Sequence, residues 1–347
     1  MNPSGPFLSI LLVNYNGLAH LEECLASVFG QDYRDFEVVM VDNASGDGST
    51  GYVGKRFPEV RIVQAGANLG FAGGNNLGIS HCRGRHVFFL NNDTRLETGA
   101  LGNIADSIGS HPECRVFACL MLRYDNPALV DSAGDTLYFT GATFSFSMYP
   151  AAMFTAPRPV TSACAGAAVY ARALLEELGG FDEDFFLLLE DVDLSLRARH
   201  KGETILLLPG ARVLHKGSAT IGGAIGQIGM YYGTRNHPWL LLKNFPAVTL
   251  LKCLPGLALI HSVRLLQSLR QGSLPILLRA WFASLRMVPR MLRKRREILG
   301  RSRLGRKQFE ALLRKGWLRE RRMFKQGRYD IPLNGMAKPP GRGNTGG

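Results

Sequence analysis

The sequence predicts an α/β protein with a mainly parallel central sheet, on the basis of three observations. Short apolar runs alternate with amphipathic segments through the first half of the 347-residue chain. Apolar runs of roughly four to eight residues are typical of buried strands. Strands that alternate with helices are typical of crossover units, which place parallel strands in one sheet. Several of these runs end in Asn or Asp, which would gather polar side chains at the carboxyl edge of the sheet.

The first half of the chain contains four predicted strands, at residues 7–13, 36–41, 60–63 and 86–90. The helix predicted between the first two, 18–29, places Leu18, Leu21, Leu25 and Val28 at the spacing of one helical face. Shorter helices are predicted at 52–57, 75–82 and 100–108. Right-handed crossovers would bring several strand ends to the same edge.

From about Val116 the pattern is less regular. A hairpin or loop excursion is expected over 130–147, followed by a strand at 167–170 and helices at 172–178 and 190–200. A strand at 204–208 and a Gly-broken helix at 221–243 complete the predicted core. We therefore expect one domain over residues 1–245.

A basic C-terminal region is expected to be a helical appendage over residues 246–330. Residues 264–328 hold 20 Lys/Arg against three Glu, a net charge of +17, whereas residues 1–263 carry about −5. Interspersed Leu and aromatic residues (Trp281, Phe282, Trp317 and Phe324) are typical of helices at an anionic membrane surface. The Pro/Gly-rich end, 331–347, is expected to be disordered.

The apolar segment 247–263 is interrupted by Lys252, Pro255 and His261. A spanning helix needs about 20 apolar residues, so a buried or interfacial helix is the expectation here. The N-terminus lacks a basic stretch, so its apolar run is interpreted as a first strand and not as a signal peptide. Six cysteines without a C-x-x-C pair indicate reduced thiols in a cytoplasmic protein.

The run Leu90-Asn91-Asn92-Asp93-Thr94 places a carboxylate just past a predicted strand. Asn-Asp after a strand is often only a turn. A carboxylate in this place can also hold a divalent cation that binds diphosphate oxygens. His215 is the candidate second ligand, after a short loop beyond strand 204–208. A His–carboxylate set modestly favours Mn²⁺ over Mg²⁺.

Two further segments would place polar side chains at the carboxyl edge of the predicted sheet. Asp42, in the segment 42–47 (DNASGD), can accept hydrogen bonds from a base or ribose, although a turn with a helix N-cap explains it equally well. Backbone amides of the Gly- and Asn-rich segment 68–76 can approach a diphosphate, or simply form a tight connection. No G-x-G-x-x-G follows the first strand and there is no P-loop, which disfavours dinucleotide oxidoreductases and P-loop NTPases.

An acidic segment is the candidate source of a general base. Residues 179–186 (GGFDEDFF) lead to Glu190-Asp191-Val192-Asp193 at the start of a predicted helix. Acidic residues in a first helical turn compensate the helix dipole, which explains one or two of them. Apolar neighbours raise a carboxyl pKa and suit it to proton abstraction.

In this order, the motifs resemble those of the family-2 inverting glycosyltransferases with a GT-A fold, and more narrowly of their rhamnosyltransferase-like branch. The matching pieces, within about residues 7–245, are 9–16 (SILLVNYN), 41–45 (VDNAS), 68–72 (NLGFA), 91–93 (NND), 179–186, 190–194 (EDVDL), His215 and 235–236 (RN). Two departures stand out: Asn-Asn-Asp replaces a double carboxylate, and Leu187-Leu188-Leu189 occupies a place where the family often has an aromatic residue.

The resemblance implies nucleotide-sugar contacts for eight residues: Asn14, Asn16, Asp42, Asn43, Asn68, Asn76, Asn92 and Arg235. Of these, Asp42 would face the base, Asn68 and Asn76 would lie near the diphosphate or sugar, and Arg235 would meet phosphate charge.

The resemblance also implies catalytic and metal-binding roles. Asp191 would be the general base that deprotonates the acceptor, and Glu190 would position the acceptor or the base. Asp93 and His215 would hold Mn²⁺ or Mg²⁺ against the donor diphosphate. One carboxylate on each side of the sugar gives a single displacement with inversion.

The expected function is therefore transfer of a sugar from dTDP-rhamnose or a UDP-sugar to a lipid-linked or cell-envelope saccharide. The enzyme would be cytoplasmic and peripheral at the inner face of the cell membrane. Three alternatives are a sugar-nucleotide nucleotidyltransferase, a non-catalytic member that anchors partners, and a nucleic-acid-binding protein. The place after the first strand holds Asn14-Tyr15-Asn16-Gly17 and not a Gly-rich basic signature, and the basic region carries no nucleic-acid-binding motif.

Overall fold

The structure is a computed structural model, and it describes residues 5–139, 143–144, 147–217 and 226–313. In chain order the strands are β1 (Leu8–Asn14), β2 (Phe36–Asp42), β3 (Arg61–Gln64), β4 (His86–Leu90), β5 (Thr94–Leu96), β6 (Val116–Arg123), β7 (Val130–Ser132), β8 (Thr136–Leu137), β9 (Thr143–Phe144), β10 (Arg158–Val160), β11 (Ala167–Ala171) and β12 (Ile205–His215). The helices are α1 (Leu18–Phe29), α2 (Ser49–Arg56), α3 (Gly70–Ile79), α4 (Ala100–Ser110), α5 (Arg172–Leu178), α6 (Glu190–His200), α7 (Gln227–Asn244), α8 (Ala247–Gln271), α9 (Leu274–Arg286) and α10 (Val288–Gly300).

One large mixed sheet organises the chain, in the order β10-β12-β6-β11-β4-β1-β2-β3. Strands β3, β2, β1 and β4 are mutually parallel, and β6 and β12 are parallel to each other. Strand β11 lies antiparallel between β4 and β6, and the short strands β5, β7 and β10 are also antiparallel to their neighbours. The predicted α/β class with a central sheet is confirmed, and the sheet is mixed, with four parallel and five antiparallel strand pairings among the described residues.

Both faces of this sheet are buried, as expected for parallel strands covered by helices. On β1, Leu11 packs into one hydrophobic cluster, while Ile10 and Leu12 pack into the other on the opposite face. The register aligns Asn14 with Asp42 at the ends of β1 and β2, so their side chains emerge at one edge. This edge is where the sequence analysis expected the site.

Strand β6 was not predicted, although it lies in the middle of the sheet. Its sequence, VFACLMLR, is continuously apolar up to its final Arg, and all but that last residue are buried. The run lacks the alternation of a half-exposed strand because both of its faces pack into the core. A continuous apolar run of this length is itself typical of a buried strand, so the signal was present and was missed.

Strand β12 extends beyond its predicted end at residue 208. Pro209 and Gly210 lie at a register shift between Leu208 and Arg212, after which pairing with β6 resumes as far as His215. A bulge tolerates residues that would interrupt a regular strand. The prediction that a loop separates His215 from the strand was wrong, because His215 is the last residue of β12.

Over the residues that the structure describes, the basic region forms helices α8, α9 and α10 and a further helical stretch at 306–313. They pack against the main body, since Met291 and Phe309 share a hydrophobic cluster with Phe185, Trp239 and other residues of the 185–245 segment. Within the described part of the chain, α8 is the helix whose length and apolar composition would permit a membrane crossing. The domain boundaries at 245 and 330 stay a prediction.

Some expectations fall outside the described residues. These are the disordered tail at 331–347, the basic residues after 313 with Trp317 and Phe324, the start of the helix predicted from 221, and parts of the excursion at 130–147. The six cysteines are free and five are buried, with Cys164 partly exposed. Reduced thiols remain the expectation for all of them.

Candidate active site

Two carboxylates flank one imidazole at the carboxyl edge of the sheet. Antiparallel pairing of β12 with β5 sets His215 opposite Thr94, next to Asp93. The Nε2 atom of His215 lies 3.3 Å from Oδ1 of Asp93, and its Nδ1 atom lies 2.7 Å from Oδ2 of Asp131 on β7. Asp93 is 5% exposed. The pairing of Asp93 with His215 is thus geometrically sound, and Asp131 is an addition that the sequence analysis missed.

The close contact between the imidazole and the carboxylates shifts the pKa values of His215 and Asp93. Burial would lower the pKa of His215, but its hydrogen bond with Asp131 and its contact with the Asp93 carboxylate outweigh burial and raise the pKa to about 9. Burial would raise the pKa of Asp93, but its contact with His215 outweighs burial and lowers the pKa. A cation at Nε2 would therefore displace a proton that the two carboxylates otherwise stabilise.

These residues fit a divalent cation. The buried Nε2 atom of His215 makes no hydrogen bond of good geometry. Its Nδ1 atom is oriented by a carboxylate, which is the usual arrangement behind a metal-binding histidine. Among the described residues no cluster of three His, Cys, Asp or Glu side chains forms a complete cage. A cation held by Asp93 and His215 would need substrate oxygens and water to fill its shell.

A cleft of about 190 Å³ opens beside this cluster. It is lined by Val13, Tyr15, Asn43, Asn68, Gly70, Phe71, Asn91, Asn92, Asp93, Phe186, Leu187 and His215. Five predicted site residues therefore meet around one cleft: Asn43, Asn68, Asn92, Asp93 and His215. The buried Oδ1 atom of Asn43 has no hydrogen-bond partner, so the cleft retains an acceptor for a ligand.

Asn14 and Asp42 are buried beneath this cleft and are engaged in a local network. The Nδ2 atom of Asn14 donates to Oγ of Ser49 at 2.8 Å and to Oδ1 of Asp42 at 3.4 Å. Its Oδ1 atom accepts from Nδ2 of Asn92 at 2.9 Å. Asp42 also accepts from the amide of Ser45, and Asp42 is 2% exposed. These contacts shape the turn; the nucleotide contacts of both residues stay a prediction.

Asn16 lies on the exposed side of the same turn. It adopts a positive φ of 51°, and its Oδ1 atom accepts from the amide of Gly46 at 2.8 Å. A left-handed conformation is tolerated by Asn better than by most residues. The turn interpretation of this segment is therefore physically sufficient, and a base or ribose contact is compatible with the exposure of Asn16.

The Gly-rich segment forms a tight connection to helix α3. Gly70 has a φ of 70°, and a Cβ built on it would lie 2.5 Å from the carbonyl oxygen of Phe186. That oxygen accepts the amides of Phe71 and Ala72, at 2.7 and 3.2 Å. These amides are already satisfied and are not offered to a diphosphate. The side chain of Asn68 accepts from the amide of Gly70 and still borders the cleft.

Asn76 lies away from this cleft. Its Oδ1 atom accepts from the amide of Phe181 at 2.7 Å, and its Nδ2 atom donates to the carbonyl of Phe181 and to Glu183, each at 2.9 Å. Asn76 thus joins α3 to the acidic loop 179–186. In this structure it lines a second, larger cleft of about 470 Å³ between that loop and α10.

Glu190 and Asp191 begin helix α6, immediately after the loop residues that wall the cleft. Both oxygens of Asp191 accept backbone amides, from Ala165 at 3.1 Å and Val192 at 2.8 Å. Burial raises the pKa of Asp191. The residue as a whole is nevertheless half-buried and not fully buried, although it is not among the residues that line the cleft. A carboxyl group of raised pKa that remains accessible suits a general base.

Glu190 is more deeply buried, at 5% exposure, and its Oε2 atom has no hydrogen-bond partner. Burial, together with the negative charges of Asp191 and Asp193, raises the pKa of Glu190 well above its ordinary value. A third buried carboxyl, Asp135, accepts from Oγ of Ser162 at 3.0 Å. Burial and repulsion by Asp191 raise the pKa of Asp135 to about 7. The start of α6 is thus a site where negative charge is costly.

Arg235 contacts backbone in this structure and is not a lining residue of the cleft. Its Nη2 atom donates to the carbonyls of Asp184 and Phe185, at 2.9 and 2.7 Å. Its neighbour Asn236 donates to the carbonyls of Phe185, Leu187 and Leu188. Phe186, Leu188 and Leu189 all have positive φ values between 62° and 70°. The Arg-Asn pair therefore holds a strained loop, and the phosphate role of Arg235 stays a prediction.

Three acidic residues of this region are engaged in ion pairs. Lys243 binds Asp182 at 2.6 Å and Asp193 at 2.8 Å. Lys294 of α10 binds Asp184 at 2.6 Å and also pairs with Asp182. Asp193 further accepts from Arg197 at 2.8 Å. The excess of acidic residues noted in the sequence is therefore partly structural.

The sequence analysis also missed Asp131 and Asp135. A signal was present: both stand in the segment 131–135 (DSAGD), two carboxylates among small residues inside the predicted hairpin excursion. Phe186 was noted only as part of an acidic run, yet its ring stacks on Tyr232 at 5.2 Å and lines the cleft.

The chain is similar in sequence to known glycosyltransferases. Residues 9–179 match the family model described as glycosyl transferase family 2. N-acetylglucosaminyl-diphospho-decaprenol L-rhamnosyltransferase of Mycobacterium tuberculosis is 26% identical over 231 residues, which cover 60% of this chain and 75% of the relative.

Two solved structures share the fold. S. aureus TarS 1–349 in complex with UDP-GlcNAc gives a TM-score of 0.56 at 18% identity, over 93% of each chain. The mannosyltransferase PcManGT of Pyrobaculum calidifontis, in complex with GDP-Man and Mn²⁺, gives 0.52 at 18% identity, over 86% of this chain and 87% of that one. Residues 9–179 therefore form a domain of glycosyl transferase family 2, and the chain has the GT-A fold of these solved structures.

Proposed function

We propose that the chain transfers a sugar, with inversion, from a nucleoside-diphosphate donor to a lipid-linked or cell-envelope saccharide. One observation carries this proposal. The cleft is bounded on one side by Asp93 and His215, and on the other by Phe186 and Leu187, whose loop leads directly into Glu190 and Asp191. The candidate metal-binding pair lines this space, and the candidate base Asp191 follows Leu187 by four residues in the chain.

Asp93 and His215 would hold a Mn²⁺ or Mg²⁺ ion, which supplies charge neutralisation for a departing diphosphate. Asp131 keeps the His215 ring in place through its 2.7 Å contact with Nδ1. Asn43 and Asn92, with amide groups at the cleft, would bind the donor by hydrogen bonds. In our proposal Asn68 lies near the sugar or diphosphate, and Asn14, Asn16 and Asp42 shape or contact the nucleotide end.

On the opposite side, Asp191 would act on the acceptor. The acceptor hydroxyl oxygen forms a bond to the anomeric carbon while the bond from that carbon to the diphosphate oxygen breaks. The hydroxyl proton passes to Asp191, and the nucleoside diphosphate leaves. Burial raises the pKa of Asp191 and so its affinity for the proton, and its negative charge in turn raises the pKa values of its neighbours Glu190 and Asp135.

The donor we favour is dTDP-rhamnose, with a UDP-sugar as the alternative. Support comes from the relative in Mycobacterium tuberculosis, whose name describes rhamnosyl transfer to a diphospho-decaprenol-linked N-acetylglucosamine. A polyprenyl-linked acceptor would place this enzyme at the cytoplasmic face of the cell membrane, as a peripheral protein. A nucleotidyltransferase, a non-catalytic anchor and a nucleic-acid-binding protein are the rival functions.

The test is donor turnover. Purified protein is incubated with dTDP-, UDP- and GDP-sugars, Mn²⁺ or Mg²⁺ and a membrane extract as acceptor source, and release of nucleoside diphosphate is measured. We expect release from one donor, dependent on the metal ion. Asp191→Asn should lower turnover by about 10²–10⁴-fold, the usual contribution of a general base.

A matched control is Asp106→Asn, the same substitution at an exposed position of α4, which should leave turnover unchanged. Pyrophosphate release from a nucleoside triphosphate and a sugar phosphate would support the nucleotidyltransferase instead. Donor binding without any turnover, in the presence of the extract, would support the non-catalytic anchor.

A further inference from the structure

Helix α8 presents an apolar stripe to solvent along its whole length. Seven of its large apolar side chains are between 44% and 64% exposed: Val248, Leu251, Leu254, Leu259, Val263, Leu266 and Leu269. Their spacing of three to five residues places them along one side of a helix. Scattered exposed apolar residues need no explanation, but a continuous stripe marks an interaction surface.

Helix α9 packs beside α8 and carries a similar stripe. Leu278, Phe282 and Leu285 recur at helical spacing and are 51%, 63% and 70% exposed. The guanidinium of Arg286 lies 5.6 Å from the centre of the Phe282 ring. An exposed aromatic residue beside a cation is typical of helices that lie at a membrane surface.

The other side of α8 is fixed to the protein body at both ends and in the middle. Near its start, Thr249 and Lys252 bind Glu310 at 3.0 and 2.9 Å. In the middle, Nδ1 of His261 accepts from Nε1 of Trp281 at 2.8 Å. Near its end, Arg264 donates to the carbonyl of Gly233 on α7 at 2.9 Å.

These contacts decide how α8 can meet a lipid bilayer. A spanning helix would have to leave α7 and α9 and carry Arg264 and Lys252 into the hydrocarbon region, where charged groups are costly. A helix that lies in the interfacial plane can keep all of these contacts and bury only its outer stripe. The structure therefore favours the in-plane arrangement.

The positive charge of helices α8 to α10 favours binding to an anionic membrane surface. Residues 247–296 contain ten Lys/Arg and no Asp or Glu. Three of the arginines on α8 and α9 are exposed, namely Arg270, Arg279 and Arg286. Anionic headgroups attract basic residues that lie close to the membrane surface. An apolar stripe bordered by cations thus complements a bilayer rich in anionic lipid.

We propose that the exposed stripes of α8 and α9, which we term the α8–α9 face, dock on an anionic bilayer with the helices in the interfacial plane and without crossing it. This proposal names the surface and geometry behind the peripheral attachment proposed above. It does not depend on the transfer reaction, because docking requires neither donor nor acceptor.

The experiment measures binding of the full chain to phosphatidylcholine vesicles with and without phosphatidylglycerol, by flotation. We expect binding to the anionic vesicles only, and release in high salt or at alkaline pH without detergent. The double variant Leu259→Asp with Phe282→Asp should lower vesicle affinity at least tenfold. Met148→Asp introduces the same charge at another exposed apolar residue, which is 52% exposed, and should bind like the native chain.

Other results would overturn the proposal. Native-like binding by the double variant would place the membrane contact elsewhere in the chain. Resistance to both salt and alkaline extraction would show a spanning helix. A dimer that dissociates in the double variant, without vesicle binding by either protein, would show that the face is an interface between two copies. Circular dichroism of the double variant should match the native spectrum, since both side chains are exposed.

Discussion

Lys243 offers the sharpest test of how the catalytic region is held together. Its side chain is 3% exposed, and its Nζ atom lies 2.6 Å from Asp182 and 2.8 Å from Asp193. Replacing it with Met keeps most of the buried aliphatic volume and removes the charge. Two buried carboxylates then lose a common partner.

The size of the destabilisation depends on the ion-pair partners that Asp182 and Asp193 retain. Removal of one member of a buried ion pair typically costs about 3–5 kcal/mol, because the other charge is left uncompensated. Asp182 retains Lys294 and Asp193 retains Arg197, so we expect the lower end of that range, about 3 kcal/mol. By contrast, the pair of Lys252 and Glu310 is exposed on the lysine side, and such pairs contribute about 0–1 kcal/mol.

The lowered pKa of Asp182 also determines the direction in which the stability difference changes with pH. Burial would raise the pKa of Asp182, but Lys243 and Lys294 outweigh burial and hold the pKa well below its ordinary value. A carboxyl group with a lowered folded-state pKa contributes stability above its unfolded pKa and loses it as the pH falls through the folded value. The gap in stability between native chain and Lys243→Met should therefore narrow below about pH 4.

The assay is urea denaturation followed by tryptophan fluorescence, for the native chain, Lys243→Met and the control Lys252→Met. Adding Asp182→Asn to Lys243→Met should recover part of the loss, because one stranded carboxylate disappears. Equal destabilisation by Lys243→Met and Lys252→Met would refute the reasoning. So would strict additivity of the two substitutions at 182 and 243.

Three further predictions concern single residues. Asp131→Ala should weaken Mn²⁺ binding about 10–100-fold in calorimetry, because the His215 ring loses its orienting partner; unchanged affinity would contradict this. Gly70→Ala should cost about 1–3 kcal/mol in thermal unfolding through backbone strain, whereas Gly46→Ala, in open space, should cost little. Burial and Arg264 lower the pKa of His261 to about 4. The free energy of unfolding should therefore fall as the pH decreases from about 6.5 to about 4, and it should fall less in His261→Gln. An equal decrease in the native chain and in His261→Gln would contradict this prediction.

The parts of the fold that the sequence predicted are those in which local pattern and tertiary role agree. Helices α1 and α5 and strand β4 match their predicted bounds, because each has a clear apolar period or run. Helix α6 also matches its predicted bounds, although its apolar residues are mixed on its faces. Asp93 and His215 were paired from the chemistry of their residue types and the resemblance, and the structure brings them within 3.3 Å. Strand ends at one sheet edge make such a pairing predictable.

The contacts that the sequence did not predict involve partners that are distant in the sequence. Nothing local to Asp182 or Asp184 indicates that Lys294, more than 100 residues later, pairs with both. Likewise, nothing local to Arg235, which was expected to meet phosphate charge, indicates that Arg235 and Asn236 donate to carbonyl groups of Phe185 and Leu187. Local sequence indicates which groups are charged, whereas only the packed structure shows which charges are already neutralised.

The contacts between α6 and the C-terminal helices have a consequence for synthesis on the ribosome. Helix α6, which carries Glu190 and Asp191, packs against residues that emerge much later: His200 binds Ser302 and stacks on Phe309. A nascent chain that ends before residue 300 therefore lacks the surface on which this helix settles. Strands β1 to β4 can pair early, whereas β5 must wait for β12 and His200 of α6 for its partners beyond residue 300. A truncated translation product would thus form the start of the sheet but lack part of the packing behind Glu190 and Asp191.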